Sequence, residues 1–195
     1  MTPKKITLDI DYNYFLTQQY PDGSSCIKHQ LDEQRDLRED DAFPTTVTKN
    51  NTEIRQIFFE PSQVNFDIIG YKLNMDVVTI SAILQPPGNF IPIHRDTFFQ
   101  INKRFPDDER TKVRANIFLE DWQPGHLIQY ATDKGWKTAD NWTQGQGIMW
   151  GSGTPHIGAN VGLTNKYTLQ VSGFLLDYPG NKEDTDFSAN IFKNI

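Results

Sequence analysis

The hydrophobic positions of this chain change character partway along it. Up to residue 76 they are mixed. Ile6, Leu8 and Ile10 alternate with polar residues and predict a strand. Residues 29–41 (HQLDEQRDLREDD) are densely charged with Leu31 and Leu37 among them, which predicts a short exposed helix or a loop, ordinarily a solvated face. Asp67 to Leu73 predicts a further short helix. From Val77 the pattern is that of strands. VVTISAIL is apolar and β-branched, Pro86-Pro87-Gly88 forces a turn, and Phe90 to His94 resumes an extended course. Pro92 inside that run predicts an edge or irregular strand, because proline has no N–H for a ladder. Val113–Leu119, Leu127–Tyr130, Gly147–Trp150 and Tyr167–Leu176 are further predicted strands. Pro124-Gly125, Lys134-Gly135, Gly151-Ser152-Gly153 and Val161-Gly162 lie between them. The longest connection, Asn102 to Lys112, is polar and reads as a lid or a surface excursion.

Many short strands punctuated by glycine and proline predict a mainly β fold, an antiparallel sandwich or barrel of the jelly-roll kind. Its core is expected over residues 77–176, with supporting elements and most of the flanking helices over 1–76, and a tail over 177–195. The length of 195 residues suits one domain with its own core. A net charge of −6 argues against a dedicated nucleic-acid surface. No apolar run approaches the length of a membrane span, and the two early lysines are followed by no signal-like apolar segment. Cys26 is the single cysteine, so no internal disulfide forms; a cytoplasmic location and a structural role for Cys26 are the expectations. Oligomeric state is not legible.

Candidate chemistry rests on two of the four histidines. His94-Arg95-Asp96 ends an extended run, and His156 follows a Gly-rich turn 62 residues after His94. On a strand, His94 and Asp96 share a face while Arg95 points away, and His156 is expected from a later strand lying opposite. Two imidazoles and one carboxylate suit iron(II) with open coordination positions. His-x-Asp alone is a weak signal, and its position gives it weight. Lys166, ten residues after His156, supplies a fixed cation for the remote carboxylate of an anionic co-substrate. Thr168, two residues on, adds a hydroxyl on the same strand face.

From about Ile83 to Phe174 the chain resembles the iron(II)- and 2-oxoglutarate-dependent dioxygenases, whose fold is a double-stranded β-helix. His94, Asp96, His156, Lys166 and Thr168 match the superfamily pattern position by position. The resemblance implies Fe(II) bound by His94, Asp96 and His156, with 2-oxoglutarate and O2 as co-substrates and succinate and CO2 as co-products. It further implies hydroxylation of a small-molecule or peptide substrate. The basic residue is lysine, as in the prolyl-hydroxylase-like branch, where many others have arginine. A finer likeness is to the aspartyl/asparaginyl β-hydroxylase-like branch, through Arg114-Ala115-Asn116-Ile117 and Trp142-Thr143-Gln144-Gly145. That likeness implies a substrate role for Arg114 and a co-substrate role for Asn116. Asn116 replaces the branch's histidine, and Asp96 is an acidic ligand that mammalian members lack.

Other readings stay open beside these. Arg114, Asn116 and Phe118 share one strand face; they line the cavity if Ala115, Ile117 and Leu119 pack into the core, and otherwise Arg114 simply faces solvent. Gln129 and Tyr130 are candidates to bond substrate or co-substrate, and Trp150 is core or a wall of the metal pocket. Trp122, Trp136 and Trp142 read as packing residues. His126 reads as a turn histidine bonded to backbone. The rivals are a cupin-like metalloenzyme that does not use 2-oxoglutarate, a non-catalytic jelly-roll binding module with His94 and His156 far apart, and a desaturase or halogenase on the same fold. Asp96 argues against halogenation, because halogenases of the superfamily vacate that position.

Overall fold

A computed structural model describes residues 1–26 and 44–176. The charged stretch 29–41 and the tail 177–195 therefore lie outside the described residues. Eleven strands and three α-helices are described. The strands are β1 (Lys4–Thr7), β2 (Ser24–Ser25), β3 (Glu53–Phe59), β4 (Met75–Gln85), β5 (Asn89–His94), β6 (Lys112–Phe118), β7 (His126–Thr132), β8 (Gly135–Ala139), β9 (Gln146–Gly151), β10 (His156–Asn160) and β11 (Lys166–Leu175). The helices are α1 (Tyr12–Leu16), α2 (Phe66–Leu73) and α3 (Phe99–Arg104).

The strands form two antiparallel sheets. The major sheet runs β1-β9-β6-β11-β4-β3-β2 and the minor sheet β5-β10-β7-β8. From β4 onward the chain changes sheet at every connection except the β7–β8 hairpin. That alternation produces the double-stranded β-helix expected of the sequence. The first 76 residues extend both edges of the major sheet, through β1 on one side and β3 with β2 on the other. Among the described residues no helix is long and apolar enough to cross a membrane.

Side-chain alternation gives the major sheet two different faces. Val113, Ala115, Ile117 and Leu119, with Leu169 and Val171, pack into a core with Phe15, Ile69 and Leu73 from α1 and α2. Asn65 caps α2, accepting from Ile68 N at 3.0 Å. Asn74 ends it in the left-handed region at φ 56°, a conformation asparagine tolerates. The opposite face meets the minor sheet around Phe118, Ile128, Tyr130, Trp142, Ile148 and Trp150. Phe118 and Trp142 stack at 3.8 Å between ring centroids.

Several local expectations are corrected. The segment Glu53–Phe59, unassigned from sequence, is β3, and Gly135–Ala139 is β8. The Asn102–Lys112 connection begins inside α3, so its irregular part starts at Phe105. Trp136 is half exposed on β8, an outer strand, and packs into no core, whereas Trp142 is buried.

Candidate metal centre and co-substrate pocket

β5 is the outer strand of the minor sheet, as Pro92 predicts, and its pairing with β10 is irregular. His94 pairs with His156 and Ile91 with Gly158, so Pro92 and Ile93 together oppose the single Ile157. This β-bulge re-aims the end of the strand. The Pro92 carbonyl, turned out of the ladder, accepts from His94 Nδ1 at 2.8 Å. His156 repeats the device, with Nδ1 bonded to the Thr154 carbonyl at 3.0 Å. A carbonyl only accepts, so each Nδ1 carries its ring's proton and each Nε2 keeps a bare lone pair.

His156 therefore comes from the strand hydrogen-bonded to that of His94, a cross-strand neighbour and not an element lying opposite. The two rings are 4.1 Å apart, which removes the expectation of a module with separated histidines. Asp96 lies beyond the end of β5, and a turn carries it back to the pair. In that turn Phe98 is buried at φ 52°, a strained conformation for a bulky residue, costing of order 1–2 kcal/mol. One ligand atom from each of His94, Asp96 and His156 lies within 4.8 Å of the others.

Both Asp96 oxygens are held. Oδ1 accepts from Arg114, and Oδ2 accepts from Trp150 Nε1 at 2.8 Å while lying 3.9 Å from His156 Nε2. Burial pushes the Asp96 carboxyl up, but Arg114 and the two histidines outweigh it and hold it down at about 2. Burial, with His156 alongside, pushes His94 down to about 3, and burial likewise lowers His156. At neutral pH the cluster is two neutral imidazoles and one carboxylate, the protonation state a divalent cation requires. Donor chemistry, bare lone pairs and spacing all fit a metal ion.

Lys166 opens β11 and is 3% exposed. Its Nζ donates to the Leu127 carbonyl at 2.8 Å, the Ala159 carbonyl at 3.2 Å and Gln85 Oε1 at 3.3 Å. These acceptors are all neutral, and among the described residues no carboxylate pairs with it. Desolvation brings its ammonium down to about 7. Lys166, Thr168 and Gln170 alternate onto the inner face of β11. They line one cavity with His94, His156, Asn116, Gln85 and Trp150, between walls that include Ile83, Ile91 and Ile128. Asn116 Oδ1 accepts from Gln170 Nε2 at 3.1 Å, while the buried Asn116 Nδ2 has no partner among the described residues.

The structure thus brings His94, Asp96, His156, Lys166, Thr168 and Asn116 together. Arg114 reaches the site too, but it is spent on Asp96 and, through Nε, on Ser172 Oγ at 3.0 Å. Trp150 is fully buried, donates to Asp96 and lies 4.3 Å from the His156 ring, so it packs against the His-Asp-His cluster. Gln129 is not brought in: it alternates with the buried Ile128 and Tyr130 and bonds Thr138 on the outer face. His126 is buried and bonded to the Thr164 carbonyl at 3.1 Å, as expected of a backbone-tied histidine. Two polar residues of the pocket, Gln85 and Gln170, are not among the sequence candidates. Gln170 shares the parity of Lys166 and Thr168, so alternation alone could have found it.

Comparison with solved structures places the fold. A Pseudomonas putida prolyl-4-hydroxylase aligns over 90% of this chain and 92% of its own, with a TM-score of 0.53 and 19% identity. The non-haem alpha-ketoglutarate-dependent carbocyclase SnoK from nogalamycin biosynthesis aligns over 96% of this chain and 86% of its own (TM-score 0.57, 12% identity). The alpha-ketoglutarate-dependent epimerase SnoN of the same biosynthesis covers 89% of this chain and 78% of its own (TM-score 0.54, 11% identity). At these identities the likeness is one of fold. No family model matches the sequence, and no curated protein matches it.

Proposed function

We propose that this chain is an iron(II)- and 2-oxoglutarate-dependent oxygenase that hydroxylates a C–H bond of a peptide side chain or small polar substrate, releasing succinate and CO2. One observation carries the reading: a single cavity is lined both by the two histidines of a His-Asp-His cluster and by a buried lysine that has no carboxylate partner among the described residues. A buried ammonium facing only neutral acceptors suits an anion brought in from outside. The fold shared with prolyl-4-hydroxylase and with SnoK and SnoN is in keeping with it.

His94, Asp96 and His156 would hold the iron, which supplies the redox chemistry coupling O2 and the 2-oxo acid to C–H hydroxylation. Lys166 binds the far carboxylate of 2-oxoglutarate as a point charge, and the Thr168 hydroxyl donates to the same group. Asn116 Nδ2, buried without a partner among the described residues, donates to the co-substrate. Ile83, Ile91, Ile128 and Trp150 keep bulk water from the cavity. His94 and His156 need give up no proton, because each is already held as the Nδ1–H tautomer.

The test is anaerobic titration of the iron(II)-loaded protein with 2-oxoglutarate. A visible metal-to-ligand charge-transfer band is expected, weakened by Lys166→Ala and abolished by His156→Ala. Absence of the band under all conditions sinks the proposal. Succinate release across a panel of peptides and small polar compounds then addresses the substrate.

A further inference from the structure

Arg114 bonds Asp96 Oδ1, the carboxylate oxygen other than the one that faces His156, and that placement is built. β6 sets Arg114 opposite Trp150 of β9 and opposite Ser172 of β11. The cross-strand pair Arg114–Trp150 thus holds one Asp96 oxygen each. Ser172 fixes the guanidinium from behind, and the Phe98 ring lies 5.3 Å from Arg114 Cζ. The Asp96 side chain is 2% exposed and that of Arg114 21%. Little water intervenes to screen one from the other.

Counting charge shows what this arrangement does. Two neutral imidazoles and one carboxylate leave a divalent ion with one net positive charge. A guanidinium bonded to that same carboxylate cancels its charge and restores two. It also repels the ion directly. We propose that Arg114 sets the charge of the metal centre: it weakens the hold on the divalent cation and strengthens the hold on a dianion that chelates it. Trp150 supplies geometry without charge. Arg114 is on this view a positioning residue that acts through Asp96, in place of the substrate-binding role implied by the family likeness. The inference rests on the metal site proposed above.

Arg114→Gln keeps an amide donor near Asp96 and removes the charge. Binding of Mn(II), read by electron paramagnetic resonance or calorimetry, is expected to tighten about tenfold or more, since a unit charge a few ångströms away acts strongly at reduced dielectric. Binding of oxalate to the Mn(II)-loaded protein is expected to weaken about tenfold for the same reason. Oxalate is the chosen probe because it chelates the metal without extending to Lys166. Arg114→Lys keeps the charge and should leave both constants within a few-fold. Trp150→Phe, which removes a bond to Asp96 and no charge, should weaken Mn(II) binding, the opposite sign to Arg114→Gln. Ser172→Ala, which loosens the guanidinium, should shift both constants two- to threefold in the same opposed directions, and it decides the matter if Arg114→Gln does not fold. Opposite signs for metal and anion are the signature of charge. Both constants weakening together, or neither moving, overturns the inference. A wild-type protein that binds Mn(II) no better than His156→Ala instead overturns the metal site itself.

Discussion

Replacing Lys166 by methionine tests the energetics of the pocket without any ligand. Lys166 is buried and desolvation brings its ammonium to about 7, from an ordinary value of 10.5. Converted by linkage, that difference would cost the fold roughly 4–5 kcal/mol while the group stays protonated. Three acceptors, one for each N–H, offset part of it and leave about 2–4 kcal/mol. Between pH 7 and 10.5 the unfolded chain holds this proton and the folded one does not. Wild-type stability attributable to Lys166 therefore rises with pH across that window, and the methionine variant lacks the rise. The stability of Lys166→Met minus that of wild type should fall by about 2–4 kcal/mol from pH 6.5 to pH 10. A neutral amine keeps two of the three N–H groups, so most of the hydrogen bonding lost on substitution drops out of the comparison. Urea unfolding followed by tryptophan fluorescence, at constant ionic strength and several pH values, measures it. Parallel stability curves for the two proteins would refute the reasoning, because the ammonium would then be as well accommodated inside as in water. The same lysine predicts that 2-oxoglutarate binding at pH 8 takes up close to one proton, seen as a dependence of calorimetric heat on buffer ionisation enthalpy.

Glu120 tests the opposite sign. Burial pushes its carboxyl up to about 7 from 4.5, so stability should fall as pH rises through that interval. Glu120→Gln should add about 1–3 kcal/mol at pH 8 and little at pH 4.5, measured by denaturant unfolding. Trp142→Ala removes the ring stacked on Phe118 between the sheets and should cost about 3–5 kcal/mol, read as a drop in Tm. Gln129→Ala should leave metal and 2-oxoglutarate affinities unchanged and stability within about 0.5 kcal/mol, because that side chain faces outward. A clear loss of co-substrate affinity in this variant would return Gln129 to the site.

The strands most legible in the sequence are those most heavily buried. β4, β6 and β11 lie inside the major sheet, and their apolar residues either run continuously or alternate cleanly. β3 was missed because the residues of Glu53–Ile57 are half-buried on both faces, which leaves no period to read. β8 was missed because four of its five residues are exposed. In the site, Lys166, Thr168 and Asn116 were legible because one face of a strand is a local property. The partners of Asp96 were not. Arg114 and Trp150 reach it from β6 and β9, and no spacing along the chain encodes that meeting. Pro92 was legible as an edge signal, whereas the use of its carbonyl to orient His94 depends on the bulge opposite Ile157.

The position of β10 bears on how the protein is made. β5 and β7 border the same slot in the minor sheet yet do not pair with each other. β10 fills that slot, bonded to both. During synthesis the sheet must wait, a strand short, until residues 156–160 have left the ribosome. Contacts that span so much chain form late and slowly. His156 is the first residue of the strand that fills the gap, so the three candidate metal donors cannot assemble before β10 has been made. Assembly of the His-Asp-His cluster thus reports that the minor sheet is complete, and a nascent or truncated chain lacking β10 carries only two of its three donors.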